Sequence, residues 1–291
     1  MLRTRPARLL LAVLACSLLL PVLPADAASS ADPRAKVETW ATPGSTAITV
    51  TGHGYGHGHG LSQYGALGAA QQGLTWQQIN EFYYPGTSWG QVAGKLRVLI
   101  TADTGRDVQV VAERGLKVTS LTRKRSWRLP AVPARKWRLT ARGDDTLVQR
   151  TTGGRWRTWK KVPGEAELSA PDRRLTLVLP GGQRRDYRGT LQSVAPRQGK
   201  RQTVNKVSME AYLRGVVPQE VPALWEPAAV SAQSVAARSY ALVDTRFGSF
   251  SDTCDTIQCQ VYTGAGAEAA GSNSAIEEVS PAARVVRPGS E

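Results

Sequence analysis

Between Lys95 and Pro180 the chain repeatedly alternates apolar and polar residues, and a period of two predicts β-strands. KLRVLITA (95–102), DVQVVAE (107–113), KVTSL (117–121), KWRLTA (136–141), TLVQR (146–150) and RLTLVLP (174–180) alternate or are β-branched, with Gly, Asp and Pro turns between them. The period changes after Asn205, where apolar and small residues recur at three and four positions. A short helix is predicted with Ser208 as N-cap, Glu210 in its first turn and Gly215 as its C-terminal stop. A second helix is predicted with Pro227 in its first turn, running through an Ala-rich stretch to Phe247. Ala229, Val230, Gln233, Ala237, Tyr240 and Ala241 mark its buried face. The expected fold class is α+β: a helical segment packed with β-strands, plus a basic β-rich insert domain. The partition this suggests is a Gly/His-rich segment over 28–91, the β-rich domain over 92–200, the helical core over 201–264 and a tail over 265–291. In that tail SNSAIEEV (272–279) reads as a helix, and no strand signal follows it.

One residue between the two predicted helices carries candidate chemistry. Glu220 sits in a short loop among Val216, Val217, Pro218, Val221, Pro222, Leu224 and Trp225. A carboxyl walled by apolar side chains loses the water that stabilises its charge, so its pKa should rise. That is the condition a general acid needs near neutral pH. The competing reading is a surface glutamate, or one paired with an arginine. Gln233 is unusual on a buried face and either pairs with backbone or lines a cleft. Arg238 either points back toward the Glu220 loop or is solvated.

Three blocks resemble the SpoIID/LytB family. The first comprises Tyr212-Leu213, Gly215-Val216-Val217, Glu220-Val221-Pro222, Ala232-Gln233 and the run from Ala236 to Ala241. The second is Asp255-Thr256, Gln260-Val261-Tyr262 and Gly264; the third is Gly58-His59-Gly60-Leu61-Ser62-Gln63-Tyr64-Gly65-Ala66. Together they cover roughly 50–90 and 200–264. The resemblance implies a peptidoglycan lytic transglycosylase with Glu220 as its catalytic acid/base and Arg238 in the active-site cleft. It also implies substrate-binding roles for Gln233, His57, His59, Gln63, Gln260 and Tyr262, with peptidoglycan glycan strands as the partner. The LytB branch implies an alternative, a non-catalytic wall-binding protein that stimulates an amidase. No cofactor is expected. Departures from the family pattern are Ser231 and Val221, where relatives carry Lys and Met. The GHG block lies toward the C-terminus in relatives, which implies a permuted order here. The tail implies a truncated or altered C-terminus.

All three histidines, His53, His57 and His59, fall in GHGYGHGHG. On a strand they share one face and suit a metal; the flanking glycines and the resemblance favour a cleft-lining backbone. Cys254 and Cys259 lie five residues apart, and a disulfide is the expected use. The rival is a zinc site like that of some relatives, but no histidine lies nearby to complete four ligands.

Arg3, Arg5 and Arg8 precede an apolar run from Leu9 to Leu23, and Ala25-Asp26-Ala27 offers a cleavage site. Residues 1–27 therefore read as a secretory signal peptide, and a secreted or wall-associated protein is expected, with no membrane span after cleavage. A lipoprotein reading at Cys16 would strand Leu18 to Leu23 in the mature chain. The net charge is +14, and between Arg114 and Lys161 fifteen Lys/Arg face two acids, Asp144 and Asp145. Trp127, Trp137, Trp156 and Trp159 are interleaved. Basic residues among aromatics suit nucleic acid, yet an exported protein meets anionic wall polymers instead. Wall attachment and a hairpin with packed Trp and solvated Arg are both open readings.

Overall fold

Alternating burial organises most of the molecule. The computed structural model describes residues 44, 49, 58–195, 201–243 and 249–285. Helices α1 (Gln63–Gln71) and α2 (Trp76–Tyr83) come first, followed by strands β1 (Ser88–Gln91), β2 (Lys95–Leu99), β3 (Asp107–Val111) and β4 (Lys117–Ser120). Strands β5 (Ser126–Arg128), β6 (Lys136–Arg142), β7 (Asp145–Thr152) and β8 (Arg155–Val162) continue the series. Strands β9 (Ala166–Val178), β10 (Arg184–Val194) and β11 (Gln202–Ser208) lead into helices α3 (Met209–Glu220) and α4 (Pro227–Val243). Strand β12 (Thr253–Cys254), helix α5 (Ala270–Glu278) and strand β13 (Ala282–Val285) follow. The fold is α+β.

The main sheet runs β12-β2-β11-β10-β9-β3-β6-β7-β8, with β4 pairing β9 and β5 pairing β4. Its ladders are antiparallel except for β12 beside β2. Val110, Leu139, Val148 and Leu177 point inward from their strands and are fully buried. Each such side chain contributes roughly 1.5–3 kcal/mol of burial. The predicted strands all form, but β8 was not legible as one. Its sequence RWRTWKKV carries cations and tryptophans on both faces, which hides the period of two.

Residue 200 does not divide the structure. The β10–β11 ladder, from Thr190↔Lys206 to Val194↔Gln202, crosses that point, and β12 adds a strand from further on. The basic β-rich region and the helical region therefore share one sheet and one hydrophobic core. Nor does the tail end in coil. Strand β13 pairs with β1, bringing Arg284 opposite Trp89, with its guanidinium 4.4 Å from the ring. ARVV carries too short and too basic a signal to be read without its partner strand.

Helix α3 also departs from expectation. It runs through Gly215 and Pro218 to Glu220, so Gly215 is not its stop. A side chain at Gly215 would meet Tyr262 Cε2 at 2.6 Å, so glycine is needed there for close packing against that ring. Ser208 caps the helix, its hydroxyl accepting from Ala211 N at 3.4 Å. Met209, Tyr212, Leu213, Val216 and Val217 form its buried stripe. Helix α4 begins with Pro227 at its first position, as read.

Candidate functional site

The site is assembled around the C-terminal end of α3. Glu220 is the last residue of that helix and is half-buried. Pro218, two residues from the end, lacks the N–H that would bond the Arg214 carbonyl, and Val221 N closes the helix by donating to Val217 O at 3.1 Å. Val216, Val217 and Val221 are buried beside it. Loss of water pushes the Glu220 carboxyl above its ordinary value. The partial negative charge at the helix C-terminus acts in the same direction. Neither a cation nor a second acid contributes to the shift. Glu220 is thus held toward its protonated form at the edge of solvent.

Helix α1 reaches this carboxyl from the other side. Gln63 Nε2 donates to Glu220 Oε2 at 3.4 Å. Ser62 caps α1, accepting from Gly65 N at 3.1 Å, and so fixes where Gln63 and Tyr64 project. Ala66 and Ile79 pack α1 and α2 onto Ala229 and Ala232 of α4. The N-terminal block and the α3–α4 hairpin are therefore neighbours in space, although far apart in sequence. Tyr64 is 74% exposed, and its ring lies 5.2 Å from that of Trp225 at a tilted 56°. Trp225 follows Glu220 by five residues and is itself half-buried against the core. One exposed and one half-buried ring therefore pair between the start of α1 and the segment that follows Glu220. In the sequence Tyr64 falls in the GHG block and Trp225 among the apolar neighbours of Glu220, with no function assigned to the pair; the five-residue spacing of Trp225 from Glu220 was the available signal.

The segment from Val221 to Glu226 is held from the tail. A side chain at Gly271 of α5 would collide with the Ala223 carbonyl, so α5 touches this segment backbone to backbone. Arg214 Nη2 reaches Glu277 at 2.7 Å, and Ser231 Oγ donates to Glu278 Oε2 at 2.9 Å. Ser231, where relatives carry Lys, thus joins α4 to α5.

Other expected site residues lie elsewhere. Arg238 is fully buried, donating to Glu210 Oε2 at 2.9 Å and to the Ala282 carbonyl at 2.8 Å. Glu210 stands ten residues before Glu220, about 15 Å along the helix. Arg238 is therefore not brought to Glu220; it ties α3, α4 and β13 together. The correction has a simple cause: α4 runs antiparallel to α3, so a residue late in α4 meets the start of α3. Tyr262 is 1% exposed and donates to Asn205 Oδ1 at 2.8 Å, while Gln260 accepts from the Tyr212 hydroxyl at 3.3 Å. Tyr187, Tyr212 and Tyr262 stack in the interior, so Gln260 and Tyr262 support the helix instead of lining an open cleft. Gln233 is likewise buried on α4. His59 is exposed; His53 and His57 lie outside the described residues.

Cys254 and Cys259 form a disulfide with Cα atoms 5.6 Å apart. It closes the loop that presents Asp255, whose Oδ1 accepts from Thr101 N at 3.0 Å and Thr101 Oγ1 at 2.6 Å. Among the described residues no group of three His, Cys, Asp or Glu is arranged to hold a metal. The expected signal segment lies outside the described residues, and among those residues no helix is long and apolar enough to cross a membrane. Of the tryptophans of the basic region, Trp137 is buried against Trp159 at 5.9 Å, and Arg138 covers Trp156 at 4.2 Å.

Residues 197–285 match the family model SpoIID, Stage II sporulation protein. That span takes in β11, both helices around Glu220, α5 and β13, and leaves out the Gln63–Tyr64 block that completes the site. No curated protein and no solved structure matches the chain. The helix hairpin that ends in the desolvated glutamate lies within the matched segment, so residues 197–285 are the part of the chain that is similar to that sporulation-protein family.

Proposed function

We propose that this protein is a peptidoglycan lytic transglycosylase with Glu220 as its single acid/base. The observation that carries the reading is the isolation of that carboxyl: its pKa is raised by desolvation with no other acid or cation contributing. Glycosidases that use water need a second carboxylate, either as base or as nucleophile. A muramic acid residue holds its own nucleophile, the C6 hydroxyl, already tethered to the ring, so an effective molarity replaces that second group.

In the first step the protonated Glu220 donates its proton to the oxygen joining MurNAc C1 to GlcNAc. The C1–O bond breaks, and its electron pair stays on the departing GlcNAc oxygen. The Glu220 carboxylate then takes the proton from the C6 hydroxyl as O6 bonds to C1. The product is a 1,6-anhydroMurNAc end, no water is consumed, and Glu220 is returned protonated. Gln63 holds the carboxyl in place while it changes charge, and the Tyr64–Trp225 pair offers faces on which sugar C–H groups stack.

The test is to incubate the full chain with purified glycan strands and assay anhydromuramoyl ends by mass spectrometry, with Glu220→Gln as control. Release that depends on Glu220 is expected. Wall binding without anhydro products would overturn the reading and leave an amidase-stimulating wall protein in its place.

A further inference from the structure

A cavity of about 720 Å³ lies at the other end of α3 from Glu220. Ser208 and Ala211 of the first turn border it, and strands β2, β4, β5, β9, β10 and β11 supply the rest. Its walls are built by an irregularity in the sheet. Between β9 and β10 the register passes from Ser169↔Thr190 to Arg174↔Arg188, so residues 170–173 stand opposite the single Gly189. The extra residues bulge out of the ladder and form a rim. Two glycines hold the rim in shape. A side chain at Gly189 would collide with the Lys206 carbonyl, and one at Gly115 would meet Pro171 Cγ at 2.6 Å.

The charge around this groove is one-sided. Lys95, Lys117, Arg128, Arg173 and Lys206 line it, and none forms an ion pair among the described residues. The carboxylates that line it are occupied: Glu167 accepts from Thr190 Oγ1 and Gln192 Nε2, and Asp172 accepts from Arg174 N. Two features cost stability and point to function. Lys117 and Arg128 are direct cross-strand partners, a like-charge pairing that destabilises a ladder. Arg173 adopts φ 58°, a strained conformation for a residue with a side chain. No aromatic side chain lines the groove, so nucleic acid bases would have nothing on which to stack.

We infer that this groove binds a linear phosphodiester polymer without bases, of the polyol-phosphate kind. The cations contact successive phosphates, and the absence of aromatics matches a chain that carries no rings. The site is independent of the Glu220 chemistry, about 16 Å of helix away, and Glu220→Gln leaves its binding intact.

The test measures binding of purified poly(glycerol phosphate) to the full chain by calorimetry across a salt series, with oligo(dT) of equal charge as a comparison. The groove variant is Lys95→Gln/Lys117→Gln/Arg128→Gln, three exposed positions; the control is Arg142→Gln/Arg155→Gln/Arg157→Gln, three exposed positions outside the groove. Loss of three phosphate contacts should weaken binding about a hundredfold near 0.1 M salt and flatten the salt slope by about two. The control, screened from the groove, should change affinity by less than about threefold. As a second variant, Arg173→Gly relieves the strained conformation, so it should lower affinity while the melting temperature holds or rises. Equal losses in groove and control variants would mean a diffuse charge effect and overturn the proposal. Binding of oligo(dT) as tight as the polymer would overturn it too.

Discussion

The two ends of helix α3 carry the same side chain in opposite circumstances. At the first turn Glu210 meets Arg238, a cation with no solvent exposure, and its charge is fully compensated. At the last residue Glu220 has lost much of its water, gains no counter-charge and lies at the helix end that disfavours an anion. The first glutamate is held by an ion pair and two hydrogen bonds from that guanidinium. The second is biased toward its neutral form. The lesson is that a burial pattern alone does not separate a structural acid from a reactive one; the sign of the surrounding charge does. The resemblance to relatives joined Glu220 and Arg238 in one cleft, whereas the fold assigns Arg238 to the structural end.

The largest expected effect falls on Glu220. Glu220→Gln should lower the rate of anhydro-end release by about 10²–10⁴-fold, read by product assay. The working form is protonated, so the wild-type rate should be full below the raised Glu220 value and decline as pH increases through it. Stability follows the same sign: ionising this desolvated carboxyl costs stability, so a contribution present at low pH is lost as pH passes the folded value. Glu220→Gln should remove that decline, which pH-dependent melting would show. A melting curve unaffected by pH in both proteins would erase the contrast between the two helix ends.

Arg238→Met is next. It leaves Glu210 uncompensated and the Ala282 carbonyl without its donor, and should cost about 3–5 kcal/mol of stability, measured by denaturant unfolding. Activity per folded molecule should change little, since the guanidinium does not reach Glu220. A full-stability Arg238→Met protein with no activity would return the arginine to the cleft. Gly215→Ala, in the middle of the same helix, should cost about 1–3 kcal/mol by pressing on the Tyr262 ring. The smallest effect is expected from Tyr64→Ala, an exposed position. Loss of one stacking face is worth about 1 kcal/mol, a roughly fivefold rise in KM with kcat nearly unchanged.

Much of this was legible in the chain. Strands with clean alternation, such as DVQVV and KWRLTAR, formed as read because one face of each meets the core. The helices around Glu220 were legible from capping and spacing, and the raised pKa from its valine and proline neighbours. Gly215 misled, because a glycine fitting a helix stop also fits a helix that must approach an aromatic ring. Strand β13 was hidden because two residues of alternation mean nothing until β1 lies beside them. The Gln63 contact could not be seen either, since 157 residues separate the partners.

What the sequence determined by itself was local: period, caps, the cationic excess and the apolar setting of one carboxyl, all set by residues a few positions apart. What only the tertiary structure decided was pairing at a distance. The antiparallel turn from α3 to α4 placed Arg238 on Glu210, the packing of α1 on α4 brought Gln63 and Tyr64 to Glu220, and a bulge against Gly189 gathered cations from several strands into one groove. Such contacts depend on the chain's path through space, and the energies that select it come from burying whole faces together and not from any short run of residues.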